Sequence, residues 1–201
     1  MSGLDGGIVL RSQGERGARM PGAGTLGVAL FVASLGVFFA TALVGYLVVR
    51  LQADAWPAVG RQGPPRGLWL STLTLLAGSA TVQWALSRIR GGDGRGLRRG
   101  LWWTAAAGFA FLASQAWNWA VLLGQQVTAR SDMFGFTFYL LTGLHAAHII
   151  GGLAALAVVV WRAHRGAYSW GHYAGVRYCA IYWHFLGVVW LAMFTLMSLS
   201  F

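Results

Sequence analysis

The sequence predicts an all-α fold, a bundle of five transmembrane helices in a polytopic membrane protein. Three observations predict it. Of 201 residues, 57% are hydrophobic and only 10% are charged, whereas a soluble domain carries about 25% charged residues. Five runs contain no Asp, Glu or Arg, and each is at least 21 residues long. A hydrocarbon core about 30 Å thick needs roughly 20 apolar residues of helix. The third observation is that the arginines fall outside those runs, and the chain has no lysine.

The runs are Met20–Val49, Gly67–Ser87, Gly100–Ala129, Met133–Trp161 and Tyr178–Phe201. Their expected helical cores are 25–49, 68–87, 102–123, 135–160 and 179–200. The first run is too long for a signal-peptide core and lacks a clear cleavage pattern, so it reads as a retained helix. Residues 1–24 read as a flexible, basic, Gly-rich tail. Residues 25–201 read as a single domain. Pro57, Pro64 and Pro65 mark the first gap as a loop, and Gly91, Gly92, Gly94 and Gly96 mark the second.

Arginine counting orients the bundle. Arg11, Arg16 and Arg19 lie on one side with Arg88, Arg90, Arg95, Arg98, Arg99, Arg162, Arg165 and Arg177. Arg50, Arg61, Arg66 and Arg130 lie on the other. The positive-inside rule then places the N-terminus in the cytoplasm and the C-terminus outside. The net charge of +10 follows from these flanks, so nucleic acid is not the expected partner.

Composition also limits the chemistry. Cys179 is the only cysteine, which rules out an internal disulfide and a multi-thiolate zinc site. Asp5, Glu15, Asp54, Asp93 and Asp132 all lie in the tail or the gaps. A pump with its own acidic relay inside the membrane is therefore not expected. Nothing pairs a nucleophile with a base or forms a phosphate loop.

The fourth span carries small residues every four positions, Gly143, Ala147, Gly151 and Ala155. Such a stripe lets another helix approach closely in lipid. His145 and His148 are three apart and share one side of that helix. They read either as metal or haem ligands or, more plainly, as interhelical hydrogen-bonding groups. His184 reads as a polar anchor near the interface, with haem ligation opposite His145 or His148 as the rival. His164 and His172 fall in a basic gap expected to face anionic lipid. Trp69, Trp102, Trp103, Trp161 and Trp183 fall near span ends, as interfacial aromatics do. Gln115 and Asn118 should face protein and hydrogen-bond there.

Two segments resemble a known family. Phe138-Tyr139-Leu140-Leu141-Thr142-Gly143-Leu144-His145-Ala146-Ala147-His148 resembles the TG-x-H-x-x-H helix of haem-copper oxidase subunit III. Tyr182-Trp183-His184-Phe185-Leu186-Gly187-Val188-Val189-Trp190-Leu191 resembles that family's closing helix. Weaker similarity runs through Ser71–Leu73, Ser79–Val82 and Phe111–Trp117, so the resemblance covers about residues 25–201. The family's carboxylates in the third and last of these helices are replaced by Asn118 and Gly187.

The resemblance implies a non-catalytic subunit that binds no haem or copper. Those groups are expected in the partner subunits, subunit I and subunit II. It also implies phospholipid bound between helices, and an inner-membrane location in a bacterium. The complex would reduce oxygen with electrons from cytochrome c or quinol. The residues then expected at lipid or subunit contacts are Gly143, His145, Ala147, His148, Gly151, Tyr182, Trp183, His184 and Trp190. An accessory role beside a nitric oxide reductase, a small haem b cytochrome and a transporter or channel are the alternatives.

Overall fold

The computed structural model describes residues 23–53 and 67–199. Residues 1–22 of the expected tail, residues 54–66 of the first gap with its three prolines and the last two residues lie outside them, while Ala23 and Gly24 of that tail belong to the first helix. Five helices follow in order: α1 (Ala23–Gln52), α2 (Gly67–Arg90), α3 (Gly94–Gly124), α4 (Met133–His164) and α5 (Ala174–Leu199). Four of them, α1, α3, α4 and α5, are long and apolar enough to cross a membrane. The α2 helix is long enough, but Ser71, Thr72, Thr74, Ser79, Thr81 and Gln83 dilute its apolar character.

Each helix extends beyond its expected core, and two gap assignments need correction. Arg95, Arg98 and Arg99 belong to the first turns of α3 rather than to a loop. Arg162 and His164 end α4, and Arg177 lies in the first turn of α5. Only Arg165 and His172 of that basic group remain in the connection. The reason is that arginine is a good helix former, and charge excludes it from hydrocarbon without ending a helix.

Capping chemistry sets the starts of α3 and α4. The Gly96 N–H donates to Asp93 Oδ1 at 2.8 Å, and the Gly135 N–H donates to Asp132 Oδ1 at 2.6 Å. Each carboxylate thereby satisfies a backbone donor that the helix leaves free. The Gly96 bond also holds the Asp93 carboxyl below its ordinary range. Its contribution is present above that range and is lost as pH falls through the lowered value. Gly92, at φ +78°, lets the chain turn between α2 and α3.

The helices α2, α3, α4 and α5 close a ring, each packed on the next. The α1 helix packs only on α4 and α5. It buries just two side chains, Phe39 and Tyr46, seven residues apart. Buried positions recur at sevens elsewhere too: Leu68, Leu75, Val82 and Ile89 on α2, and Val176, Trp183, Trp190 and Met197 on α5. A seven-residue period is the signature of helices packed with a left-handed supercoil. The outer surface is apolar as well, with Leu30, Phe31, Leu73, Phe109 and Val188 all exposed.

In lipid, close packing and hydrogen bonds replace hydrophobic burial as the force between helices. Glycine permits the tightest contacts. A Cβ on Gly108 would lie 2.7 Å from Trp183 Cη2 and 2.9 Å from Leu153 Cδ2. Among the described residues, one on Gly151 would meet no atom within 4 Å. Gly108→Val should therefore destabilise the bundle by about 1–3 kcal/mol through overpacking. Gly151→Ala should change it by less than about 0.5 kcal/mol. Unfolding of the detergent-solubilised chain, followed by circular dichroism, separates the two.

Candidate functional site

The two histidines of the fourth helix sit where α1 meets the ring. His145 is fully buried. Its ring lies 5.3 Å from Trp190, 5.5 Å from Phe111 and 6.1 Å from Phe39, between centroids. Neither ring nitrogen makes a hydrogen bond. His148 lies one turn on, half-buried, with Phe39 edge-on at 4.9 Å. Its Nδ1–H donates to Leu144 O in its own helix at 2.8 Å. The Tyr182 hydroxyl of α5 donates to His148 O at 3.1 Å. The pair thus forms the seat for Phe39, the aromatic anchor of α1.

This differs from the plainer expectation. Neither imidazole bonds across to another helix; the interhelical bond goes to the backbone of His148 instead. His184 does bond across helices, with its Nε2–H donating to Gln83 Oε1 of α2 at 3.2 Å. His145 and His184 therefore face different neighbours, an aromatic cage and an amide. Among the described residues, no three of His, Cys, Asp and Glu are grouped as metal ligands.

Beside His145 runs a polar seam between α2, α3 and α5. The Ser71 and Ser114 hydroxyls are 2.8 Å apart, and Asn118 Nδ2 donates to Ser71 Oγ at 3.3 Å. Trp190 Nε1 donates to Thr72 Oγ1 at 2.9 Å, fixing the indole that covers His145. Asn118 behaves as expected of an amide at membrane depth. Gln115 is buried beside it with neither amide atom hydrogen-bonded. Sequence reasoning missed Thr72, Ser71 and Ser114. The density of Ser and Thr in α2 was the available signal, because hydroxyls in a span seek partners on facing helices.

The tryptophans divide. Trp69 and Trp161 are exposed near the ends of α2 and α4, as expected, and Trp102 and Trp103 are exposed in the third turn of α3. Trp183 is not interfacial; it is fully buried against Gly78 and Gly108. Neighbours decide the difference: Trp102 and Trp103 stand equally far into α3 and are exposed, whereas α5 turns Trp183 onto the glycines of α2 and α3. The stripe of Gly143, Ala147, Gly151 and Ala155 faces mostly outward. Inside the bundle its docking role falls to Gly152, where a Cβ would lie 3.0 Å from the Tyr182 ring. Where the family carries an acid, Gly187 faces Ser79 Oγ; a Cβ there would stand 3.2 Å from it.

A helical bundle knit by a TG-x-H-x-x-H helix and a closing YWHF helix defines a class of integral membrane subunit. The family model "Cytochrome c oxidase subunit III" matches residues 12–199. Cytochrome c oxidase subunit 3 of Thermostichus vulcanus is 33% identical over 173 residues, which cover 86% of this chain and 85% of the relative. The protein of the same name from a Synechocystis strain is also 33% identical, covering 86% and 74%. A probable cytochrome c oxidase subunit 3 of Mycobacterium bovis is 32% identical, covering 85% of each. The chain belongs to the haem-copper oxidase subunit III family.

The buried His145 ring gains nothing from its two nitrogens. His145→Phe should therefore match or exceed the parent in thermal stability. Trp190→Phe leaves Thr72 without its donor and should lose about 1 kcal/mol. A lower melting temperature for His145→Phe than for Trp190→Phe would contradict this account.

Proposed function

We propose that this chain is the non-catalytic subunit III of a bacterial haem-copper terminal oxidase. It packs against subunit I, with subunit II in the same complex, and holds phospholipid between its helices. The complex reduces oxygen to water in aerobic respiration. Haem and copper belong to the partner subunits. The names of the relatives favour cytochrome c over quinol as electron donor.

Family membership across residues 12–199 carries this reading. The geometry supports a structural role for the motif residues. His145, His148, Trp183 and Trp190 are engaged in packing within the bundle, while Gly143, Ala147 and Gly151 present a small-residue surface to which a partner helix can come close. All five helices cross the inner membrane in this proposal. The α2 helix tolerates its hydroxyls because they bond to α3 and α5. The arginine distribution places the N-terminus in the cytoplasm and the C-terminus outside.

Affinity purification of the tagged chain in mild detergent, with mass spectrometry of the eluate, tests the assignment. Subunits I and II should co-elute. A chain that elutes alone and coloured would replace this reading with a haem b cytochrome, and a nitric oxide reductase in the eluate would replace the reaction. Alkaline phosphatase fused after Phe201 should be active, as only an exported C-terminus allows. His148→Ala removes the imidazole against which Phe39 packs. It should lower the recovery of the complex while leaving the absorbance of the isolated chain unchanged.

A further inference from the structure

The outer edge of the α2–α5 contact carries a polar notch. The hydrogen bond between His184 and Gln83 lies there, open to the surroundings. Ser79 stands one turn from Gln83 on α2, and Gly187 stands one turn from His184 on α5. Gly187 forms the floor of the notch, with Ser79 Oγ 3.2 Å from where its Cβ would be. Exposed Ala77 and Ala80 keep the α2 rim low. Among the described residues, the Ser79 hydroxyl, the Gln83 N–H groups and His184 Nδ1 have no hydrogen-bond partner. Ser34 and Thr41 are exposed as well, but each donates to a carbonyl of its own helix.

We propose that this notch binds the carboxyl group of an Asp or Glu side chain carried by a transmembrane helix of a partner subunit. Depth makes a partner necessary. Gln83 lies seven residues from Arg90, and His184 lies seven from Arg177. Seven residues span about 10 Å along a helix axis. Both side chains therefore sit at one level inside the hydrocarbon core, where lipid offers no hydrogen bonds. Polar groups at that depth turn to protein. The His184 Nε2–H is used on Gln83, which leaves Nδ1 of the neutral ring as an acceptor. A neutral carboxyl group matches what remains. Its carbonyl oxygen accepts from Gln83 Nε2 and Ser79 Oγ, and its O–H donates to His184 Nδ1. No net charge is buried. Gly187 also stands where the family carries an acid of its own, so the acid missing from this chain is supplied by its neighbour.

Other carriers of a carboxyl group fit less well. A second copy of this chain has none to offer at this depth: its described helices contain no Asp or Glu, and Asp93 and Asp132 precede α3 and α4. Membrane lipids keep their acidic groups at the headgroup level, above the notch. A helix suits the rim, because Ala77, Ala80 and Gly187 let another backbone come close. This contact rests on the oxidase-subunit reading and adds to it the face and the chemistry of one partner. It is separate from the small-residue surface of α4.

The test uses the full tagged chain in its native membranes. Val188 is exposed beside Gly187, and Val188→p-benzoylphenylalanine places a photo-reactive ketone at the edge of the notch. On illumination it should cross-link to a transmembrane segment of a copurifying subunit, with an Asp or Glu within one turn of the linked residue. Mass spectrometry of the linked peptide reads this out. A link to a second copy, to lipid alone or to a segment without a carboxyl group, or no link at all, overturns the proposal. Gln83→Leu/His184→Leu removes the hydrogen-bonding groups and should lower recovery of that subunit roughly 5-fold. Gly187→Asp supplies the acid from within. It should lower recovery to a similar extent while raising the melting temperature of the purified chain, which separates a filled notch from a damaged fold. Unchanged recovery in both variants overturns the proposal and leaves the oxidase reading intact. A parent chain that purifies alone overturns both.

Discussion

Close approach between helices is the constraint on which the rest of this bundle depends. The outer face is as apolar as the inner one, so no difference in hydrophobicity tells a helix which way to turn. Shape has to do it. Trp183 supplies the largest shape, lying against Gly78 of α2 and Gly108 of α3 with its whole side chain out of contact with the surroundings. On the hairpin side, Gly100 meets Ala85 so tightly that no side chain fits between them. These small residues bring α2, α3 and α5 near enough for short side chains to reach one another.

That nearness makes the polar seam possible. The bonds between Ser71 and Ser114, Asn118 and Ser71, and Trp190 and Thr72 all join different helices through short side chains. In lipid each orphaned partner would have no water to turn to, so the seam adds orientation to the contact that the glycines allow. The Trp190 indole, fixed by Thr72, then forms one wall of the cage around His145. Phe39 forms another wall and carries α1 with it. A chain of contacts therefore runs from the glycines of the ring to the one helix outside it.

The replacement of two family acids fits the same logic. Asn118 keeps hydrogen-bonding capacity without charge and uses it on Ser71. Gly187 removes the side chain altogether and leaves that turn of α5 facing Ser79. The described spans consequently hold their polar groups as amides, hydroxyls and imidazoles rather than carboxylates. Arginine is confined to the helix ends, where it caps the bundle with charge and, on α3, borders an apolar groove.

Much of this was legible in the order of residues. Uncharged runs about as long as the hydrocarbon core is thick mark all five described helices, of which four are long and apolar enough to cross a membrane. The family was legible too, because two motifs in sequence order are local strings. Helix ends were not, since arginine continues a helix into the headgroup region where an apolar-run criterion stops; Arg95, Arg98 and Arg177 are the examples. The burial of Trp183 was not legible either, because Trp102 stands in the same turn of its own helix and stays exposed. The small-residue stripe of α4 shows a different limit: spacing identifies a surface suited to close contact, but Gly152 and not Gly151 faces Tyr182. Which side of a uniformly apolar helix turns inward is decided by its neighbours. So sequence alone determined the all-α architecture, the number of helices and the family, because these depend on local hydrophobicity and strings of residues. Only the tertiary structure decided that His145 sits in an aromatic cage, that His184 turns to Gln83, and that Thr72 holds Trp190. Those are relations between residues 34 to 118 positions apart, and in lipid they rest on the fit of facing surfaces, which no single helix carries in its own pattern.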